Sequence, residues 1–299
     1  MLPIDLGFTD ALRFFYGKSL DQAGEGVTVG VIDTGISSEP DLLVDGGFNA
    51  VTGEDPNDFG DNGEGHGTHV AGIIAARGKP PAGIRGLAPA VKLRSYRVFG
   101  KGAEGASNFD ILKALDRAVQ DGCDLVNMSL GSQGQTDEAS HDAIAHARVN
   151  GTLVIVAAGN HDRSPVGTPA DDPMALAVSA LGRKGTYPAN TVEEGDVQSP
   201  FGTDSKNYIT SFSNIGPEID LTGPGDGIIS TFPGGYAVLD GTSMACPAVT
   251  GTAARLLATR TDILGMSRSQ ARSDAMAKAL LQKAKSLGFG PSFEGQGLL

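Results

Sequence analysis

The sequence predicts an α/β fold in which a mostly parallel central sheet lies between layers of helices. Short β-branched runs, such as VTVGVID at 27–33, alternate along the chain with longer segments of helical periodicity. Strands separated by helices in this way usually pair in parallel, with helices covering both faces of the sheet. The 299 residues, 40% of them hydrophobic, suffice for one large domain over 1–299, and we find neither an internal repeat nor a linker.

Each element is predicted from a run of residues. Apolar or alternating runs predict strands at 27–33, 91–99, 124–130, 152–158, 175–181, 219–224 and 227–232. Helical spacing of apolar residues predicts helices at 69–76, 107–120, 137–150, 248–258 and 267–285. Residues 182–207 have no periodicity and many turn residues, so we expect a long surface loop there.

Composition argues against several partners. The formal net charge is −12 at pH 7, whereas a nucleic-acid-binding face must be basic, so we expect no nucleic-acid partner. No run of about 18 apolar residues is present, so no membrane-spanning helix is predicted. The N-terminal segment carries Asp5 and Asp10 and does not have the pattern of a signal peptide. Cys123 and Cys246 allow at most one disulfide and leave the compartment open.

Three glycine-bracketed segments contain polar residues of interest. In VIDTG (31–35), Asp33 lies at the carboxyl end of a predicted strand, where open α/β sheets place functional groups. In GHGTHVAG (65–72), His66 lies at the entrance of an apolar helix. In GTSMACP (241–247), Ser243 would begin a helix, where its hydroxyl can cap the helix or lie beside NH groups that stabilise an anion. Taken singly, each residue also has a purely structural interpretation.

Two other kinds of site are weaker interpretations. His66 and His69 are three residues apart, but without an HExxH motif or a cysteine cluster they do not indicate zinc. The segment GKGAEG (100–105) matches the dinucleotide pattern GxGxxG between a strand and a helix. The strand that follows, 124–130, ends in Met-Ser-Leu and lacks the acidic residue that would hold a ribose, which disfavours nucleotide binding.

The order of the three polar residues decides between these interpretations. Asp33, His66 and Ser243 follow the order Asp, His, Ser, which is the order in subtilisin. Together with NMSLG (127–131) and AAGN (157–160), these motifs make the chain resemble the subtilisin-like serine proteases, or subtilases. The motifs run from residue 31 to residue 247, so the resemblance covers nearly the whole chain.

The resemblance implies a serine endopeptidase with an Asp-His-Ser triad. Ser243 would attack the peptide carbonyl and form an acyl-enzyme, while His66 would accept its proton. Asp33 would hold the imidazole in the required tautomer. The side-chain amide of Asn160 and the backbone NH of Ser243 would form the oxyanion hole.

The resemblance also implies a protein or peptide substrate bound as an extended strand between two backbone segments. Glycines at the first specificity pocket leave room for a large apolar or aromatic P1 residue, so we expect broad specificity with that preference. Ala170 and Glu104 would trim these subsites. The implied substrate-binding residues are Gly100, Gly102, Ser129, Leu130, Gly131, Gly159 and Gly167.

Calcium is the metal that the resemblance implies, and no organic cofactor is expected. Asp41 matches a position that ligates calcium in many family members, but the loop completing that site is replaced by RGKPPAG (77–83), which has no carboxylate. The acidic stretch 54–64 offers oxygen ligands, with Asp58 and Asp61 as candidates. A solvated acidic loop is the alternative interpretation of that stretch.

Other functions remain open at this point. The same fold and triad could serve a transpeptidase or macrocyclase, which would need a water-excluding lid, and 182–207 is the candidate. A catalytically idle peptide-binding module would keep the groove without needing His66, Asn160 or Ser243. A propeptide or an inhibitor protein is a further candidate partner. The resemblance favours secretion, whereas the missing signal peptide leaves a cytoplasmic location open.

Overall fold

The computed structural model describes residues 6–299, so Asp5, used in the signal-peptide argument, lies outside the described residues. The described chain folds into an eight-stranded sheet, a two-stranded hairpin and eight α-helices. The strands are β1 (Thr28–Asp33), β2 (Gly47–Asn49), β3 (Lys92–Arg97), β4 (Leu125–Met128), β5 (Leu153–Ala157), β6 (Leu176–Arg183), β7 (Asn207–Ile209), β8 (Ile219–Pro224), β9 (Ile228–Phe232) and β10 (Gly235–Leu239). The helices are α1 (Ala11–Tyr16), α2 (His66–Ala75), α3 (Asn108–Gln120), α4 (Glu138–Val149), α5 (Thr242–Leu257), α6 (Thr261–Leu264), α7 (Gln270–Lys283) and α8 (Pro291–Glu294).

The main sheet is mostly parallel, which confirms the predicted fold class. Its strand order is β2-β3-β1-β4-β5-β6-β7, and β8 also pairs with β6. Every pairing in this sheet is parallel except that of β6 with β7. The carboxyl ends of β1, β4 and β5 therefore meet at one edge, because parallel neighbours in register end together.

Both faces of the sheet are buried, because successive side chains of a strand point to opposite faces. Val29 and Val31 of β1 pack in the apolar cluster that contains residues of α2 and α5. Ile32 packs in a second cluster with Leu115 of α3 and Ile144 of α4. This arrangement is the expected layering of helices on both sides of the sheet. Within residues 6–299, no helix is long and apolar enough to cross a membrane.

Several elements differ from the sequence-based expectation. The helix predicted at 69–76 begins earlier, at His66, and the strand predicted at 124–130 ends at Met128. Six short elements were not predicted, since three to six residues carry too little periodicity: α1, α6, α8, β2, β7 and β10.

The segment 182–207 is also more ordered than a plain surface loop. Strand β6 continues to Arg183, and Val192–Asp196 forms a 3-10 helix in which Glu193 is buried. Tertiary contacts decide this structure, and the local sequence does not reveal them.

A buried ion-pair cluster joins α7 to the sheet. Asp124, 6% exposed, precedes β4, and its Oδ1 accepts hydrogen bonds from Arg272 at 2.8 Å and Arg268 at 3.2 Å. Its Oδ2 accepts a hydrogen bond from the Thr28 backbone NH of β1 at 2.8 Å. One carboxylate therefore satisfies two guanidinium groups and one strand-end NH.

We predict that Asp124→Ala lowers the free energy of unfolding by about 3–5 kcal/mol, because it leaves a buried guanidinium without its partner. The matched control is Asp274→Ala, which removes a pair with Arg148 at a carboxylate that is 51% exposed. This control should cost less than about 1 kcal/mol. Urea unfolding of both variants checks the difference, and equal losses would contradict the interpretation.

Candidate active site

Asp33 and His66 meet where the carboxyl end of β1 faces the start of α2. The Asp33 carboxylate is 1% exposed, and its Oδ1 lies 2.7 Å from Nδ1 of His66. The Thr34 backbone NH donates to the same oxygen at 2.7 Å. The His66 side chain is 31% exposed, so one ring nitrogen is held by a buried carboxylate while the ring remains accessible.

Glycine residues allow this close approach. A side chain at Gly67 would collide with the Gly35 carbonyl and place a Cβ 3.1 Å from the Asp33 Cβ. Gly65 precedes α2 in a left-handed conformation with φ of 80°. The Gly65 NH donates to the Asp61 carboxylate at 3.0 Å, which holds the turn that leads into α2. The glycines on either side of His66 are thus structural requirements of the site.

The electrostatic environment favours the protonated form of His66. Burial opposes protonation, but the charge of Asp33 and its hydrogen bond outweigh burial, and Glu64 and Asp61 add to their effect. The pKa of His66 is therefore raised above its ordinary value. A raised pKa suits a group that takes up a proton during a reaction, because the resulting imidazolium is stabilised.

Ser243 lies in the first turn of α5, next to the end of β4. Its hydroxyl donates to the Ser129 carbonyl at 3.3 Å, and the Ser129 hydroxyl donates to the Ser243 carbonyl at 2.8 Å. Among the hydrogen bonds of residues 6–299, none joins Ser243 to His66. The structure thus brings Asp33 and His66 into contact and fixes Ser243 beside Ser129, with its hydroxyl turned to a carbonyl.

Asn160 follows β5 and lies against the same helix start. Its side-chain oxygen accepts hydrogen bonds from the Thr242 backbone NH at 2.9 Å and from the Thr242 hydroxyl at 2.8 Å. Because the side-chain oxygen faces Thr242, the amide nitrogen points away from Thr242. This nitrogen lies 3.3 Å from the position that a Cβ on Gly241 would occupy. The amide can therefore donate, next to the N-terminal NH groups of α5, to an anion held there.

The predicted substrate-binding glycines bring two backbone segments close together. A Cβ at Gly131 would lie 2.6 Å from the Thr168 carbonyl oxygen, and one at Gly167 would collide with the Ser132 carbonyl. Ser132 and Thr168 form an antiparallel bridge, with the Ser132 NH donating to the Thr168 carbonyl at 3.0 Å. Gly159, with φ of 105°, would place a Cβ 2.5 Å from the Asn214 side-chain nitrogen. No side chain fits at these three positions.

A cavity of about 490 Å³ lies beside these segments. Its wall combines Leu130 and Gly131 with Phe99 and Glu104, so both predicted substrate segments border the same space. Gly100 accepts a hydrogen bond from the Asn62 side chain at 3.2 Å, and Gly102 adopts a left-handed φ of 69°. The further apolar lining residues are Ile111, Leu112, Leu115, Met128, Ile144 and Pro169.

His69 is a structural residue. Its side chain is fully buried, and its Nε2 lies 3.0 Å from the Ile228 carbonyl and 3.2 Å from the Ala237 carbonyl. Burial, together with the nearby His66, lowers the pKa of His69 to about 3, so the ring is neutral. His69 therefore connects α2 to the β9–β10 hairpin. Its ring nitrogen Nε2 contacts backbone carbonyls, so the spacing of His66 and His69 has a structural explanation.

The residues at the two predicted calcium positions are bonded to other groups of the protein. Oδ2 of Asp41 accepts hydrogen bonds from the Tyr236 hydroxyl at 2.7 Å and from the Ile84 NH at 3.0 Å. The Asp61 oxygens accept from backbone NH groups, and Asp58 pairs with Lys101 at 3.4 Å. Calcium takes six to eight oxygen ligands, and the described residues hold no group of three or more acidic, histidine or cysteine side chains suited to a metal. The carboxylates of Asp41, Asp58 and Asp61 are thus bonded to other groups of the protein in this arrangement.

A polar network beneath Ser243 was not predicted. The Asn127 side chain accepts hydrogen bonds from Cys246 at 3.2 Å and Thr250 at 3.0 Å, and donates to Ser129 at 3.0 Å. Burial raises the pKa of the Cys246 thiol, so Cys246 is not poised to react. The network connects β4 to the first three turns of α5. In the sequence, the NMSLG motif (127–131) was the one feature that pointed to this network.

Comparisons with known proteins agree with this geometry. The family model of the subtilase family, Peptidase_S8, matches residues 24–297. Subtilisin BL of Lederbergia lenta is 39% identical over 232 residues, which cover 77% of this chain and 76% of that protein. Subtilisin DY of Bacillus licheniformis is 38% identical over 241 residues, 78% of this chain and 77% of that protein.

A solved structure of a protease from Pseudoalteromonas arctica matches with a TM-score of 0.75 at 25% identity. That match covers 98% of this chain and 97% of the other. Sequence and fold thus lead to the same result: the chain belongs to the subtilase family and is a serine endopeptidase.

Proposed function

We propose that the chain hydrolyses peptide bonds through an acyl-enzyme on Ser243, with His66 as general base and Asp33 as its orienting carboxylate. The observation that carries this proposal is the 2.7 Å contact between the buried Asp33 oxygen and Nδ1 of His66. With Nδ1 donating to Asp33, the second ring nitrogen is left unprotonated and can accept a proton.

The proposed reaction has two halves. Rotation of the Ser243 side chain away from the Ser129 carbonyl would bring its hydroxyl to His66. His66 then takes the hydroxyl proton as Ser243 attacks the carbonyl carbon, and passes it to the departing amine. A water molecule, deprotonated by the same imidazole, next cleaves the ester bond and releases the carboxylic acid.

The tetrahedral oxyanion would be held by the Asn160 side-chain amide and the Ser243 backbone NH. Support comes from the Thr242 hydrogen bonds, which fix the Asn160 oxygen and so orient its nitrogen. Donors that are already oriented stabilise the transition state without reorganisation.

We propose that the substrate binds as an extended strand along Ser129–Gly131 and the stretch around Gly100 and Gly102. A large apolar P1 residue would lie beside the backbone of Gly159 and Gly167. The cavity of about 490 Å³ beside Leu130 would take a second apolar side chain of the substrate. Main-chain pairing with two apolar subsites favours broad specificity.

Transpeptidation is the rival that the sequence left open, and its candidate lid was 182–207. The hydrogen bonds of this segment within residues 6–299 go to neighbours such as Arg163 and Ser211, and none reaches His66, Ser243 or Asn160. This favours hydrolysis. Digestion of an unfolded protein with an added amino-acid amide discriminates the two reactions: hydrolytic ends after large apolar residues support our proposal, and predominantly amide-capped products contradict it.

We predict that Asn160→Ala lowers kcat by about a hundred- to a thousand-fold with little change in KM, which is the range known for the oxyanion-hole asparagine of subtilisin, a member of the same family. The loss follows from removing a donor that acts mainly on the oxyanion. Steady-state hydrolysis of a chromogenic peptide measures it. Asn150→Ala, on the distant end of α4, is the matched control and should keep full activity.

We also predict a shift in pH dependence. Because the base must be unprotonated, kcat/KM should rise with pH through the raised pKa of His66 and then level off. Asp33→Asn removes the charge that raises this pKa, so the acid limb should move to lower pH while kcat falls by about 10⁴-fold. An unshifted limb in Asp33→Asn would show that another group controls the profile.

A further inference from the structure

Four carboxyl groups lie together where the 3-10 helix 192–196 meets the turn between β8 and β9. Asp226 and Gly227 form this turn, and the Gly227 NH donates to Asp240 at 2.6 Å. A Cβ on Gly227 would lie 3.8 Å from Cγ of Glu193, so the 3-10 helix contacts the turn. Asp196 adds a fourth negative charge near Asp226. We call these four residues the acidic cluster.

Two members of the acidic cluster are deeply buried and incompletely paired. Asp226 is 1% exposed and Glu193 is 2% exposed. Oδ1 of Asp226 and Oε2 of Glu193 are buried without a hydrogen-bond partner among residues 6–299. No ion pair in that part of the chain includes a member of the cluster. A buried carboxylate that lacks a hydrogen-bond partner and an ion pair raises the free energy of the folded state, so a proton or a cation must compensate its charge.

The remaining contacts favour a proton over a metal ion. Oδ2 of Asp226 is hydrogen-bonded to the Tyr208 hydroxyl, which lies 3.0 Å from the Tyr187 hydroxyl. Burial raises the pKa of both tyrosines, so these neighbours are neutral. Across residues 6–299 there is also no group of three acidic, histidine or cysteine side chains suited to a metal. A protonated carboxyl needs only a hydroxyl network of this kind.

We propose that Asp226 is a buried carboxylic acid that keeps its proton at neutral pH, and that the loss of this proton at alkaline pH destabilises the fold. The turn that it occupies supports the segment leading to α5. Gly225 accepts a hydrogen bond from the Gly241 NH at 2.8 Å, and Asp240 directly precedes Gly241. A new charge on Asp226 would therefore repel Asp240 two and three residues ahead of Thr242 and Ser243.

The titration of Asp226 sets the pH window. Its pKa is raised to about 8, chiefly by burial; the Tyr208 hydrogen bond opposes this rise, and the charges of Asp240, Asp196 and Glu193 contribute to it. The unfolded chain releases this proton near pH 4. Between those values the folded state holds one proton more than the unfolded state, so stability falls as pH rises from about 4 to 8. Above the folded pKa, both states are ionised and the loss is complete.

The test compares Asp226→Asn with its parent in a Ser243→Ala background, which prevents self-digestion. Asparagine keeps the shape of the neutral acid and cannot ionise. In urea unfolding between pH 5 and 8, the unfolding equilibrium constant of the parent should rise by up to about tenfold per pH unit relative to Asp226→Asn. The matched control is Glu25→Gln, an exposed carboxylate, which should follow the parent at every pH.

A second measurement does not depend on the variant folding. In the parent labelled with ¹³C at the aspartate carboxyls, an isotope-shifted infrared band of a protonated carboxyl should persist at pH 7 and lose about half of its intensity near pH 8. Parallel pH profiles for the two chains, or no such band at pH 7, would overturn the proposal. A dependence on metal ions would also overturn the proposal. If a chelator abolished the stability difference between the parent and Asp226→Asn, or if added calcium restored it, the cluster would be a cation site.

Discussion

The hydrogen bond between the buried Asp33 carboxylate and His66 is the interaction on which the site depends. It joins the carboxyl end of the central strand β1 to the first residue of α2, at a contact of 2.7 Å. Gly67 makes the approach sterically feasible, and the Asp61 turn fixes where α2 begins. The proposed base, His66, is thus oriented by the packing of one helix on one strand, and the parallel sheet brings Ser129 and Asn160 to the same edge.

The start of α5 provides the second half of the site. Ser243, Thr242 and Gly241 are held by three different partners, the carbonyl of Ser129, the side chain of Asn160 and the carbonyl of Gly225. Beneath them, Asn127 connects β4 to Cys246 and Thr250 through buried hydrogen bonds. Such a supporting layer holds the backbone of the proposed nucleophile, Ser243, next to the proposed oxyanion donor Asn160, as catalysis by preorganised dipoles requires.

The layered fold, which the structure confirms, and the residues of the candidate triad could both be predicted, because both leave local signals in the sequence. Strands such as β1 are short β-branched runs, and Asp33, His66 and Ser243 each lie in a motif bracketed by glycine. Residues whose role depends on distant partners leave no such signal. Glu193 belongs to the polar segment VEEGD, which is typical of a surface, yet tertiary packing buries it against the turn at Gly227. The Asp41 carboxylate, expected as a calcium ligand, likewise accepts a hydrogen bond from Tyr236, which lies 195 residues away, and no local pattern reveals that contact.

The most direct test of the central claim is intact-mass spectrometry after treatment with a fluorophosphonate, followed by peptide mapping. An activated serine reacts with this reagent, whereas an ordinary surface serine does not. The account predicts a single adduct on Ser243 of the folded protein and none on Ser243→Ala. No adduct on the folded chain, or an adduct that persists in Ser243→Ala, would contradict the assignment of Ser243 as the nucleophile.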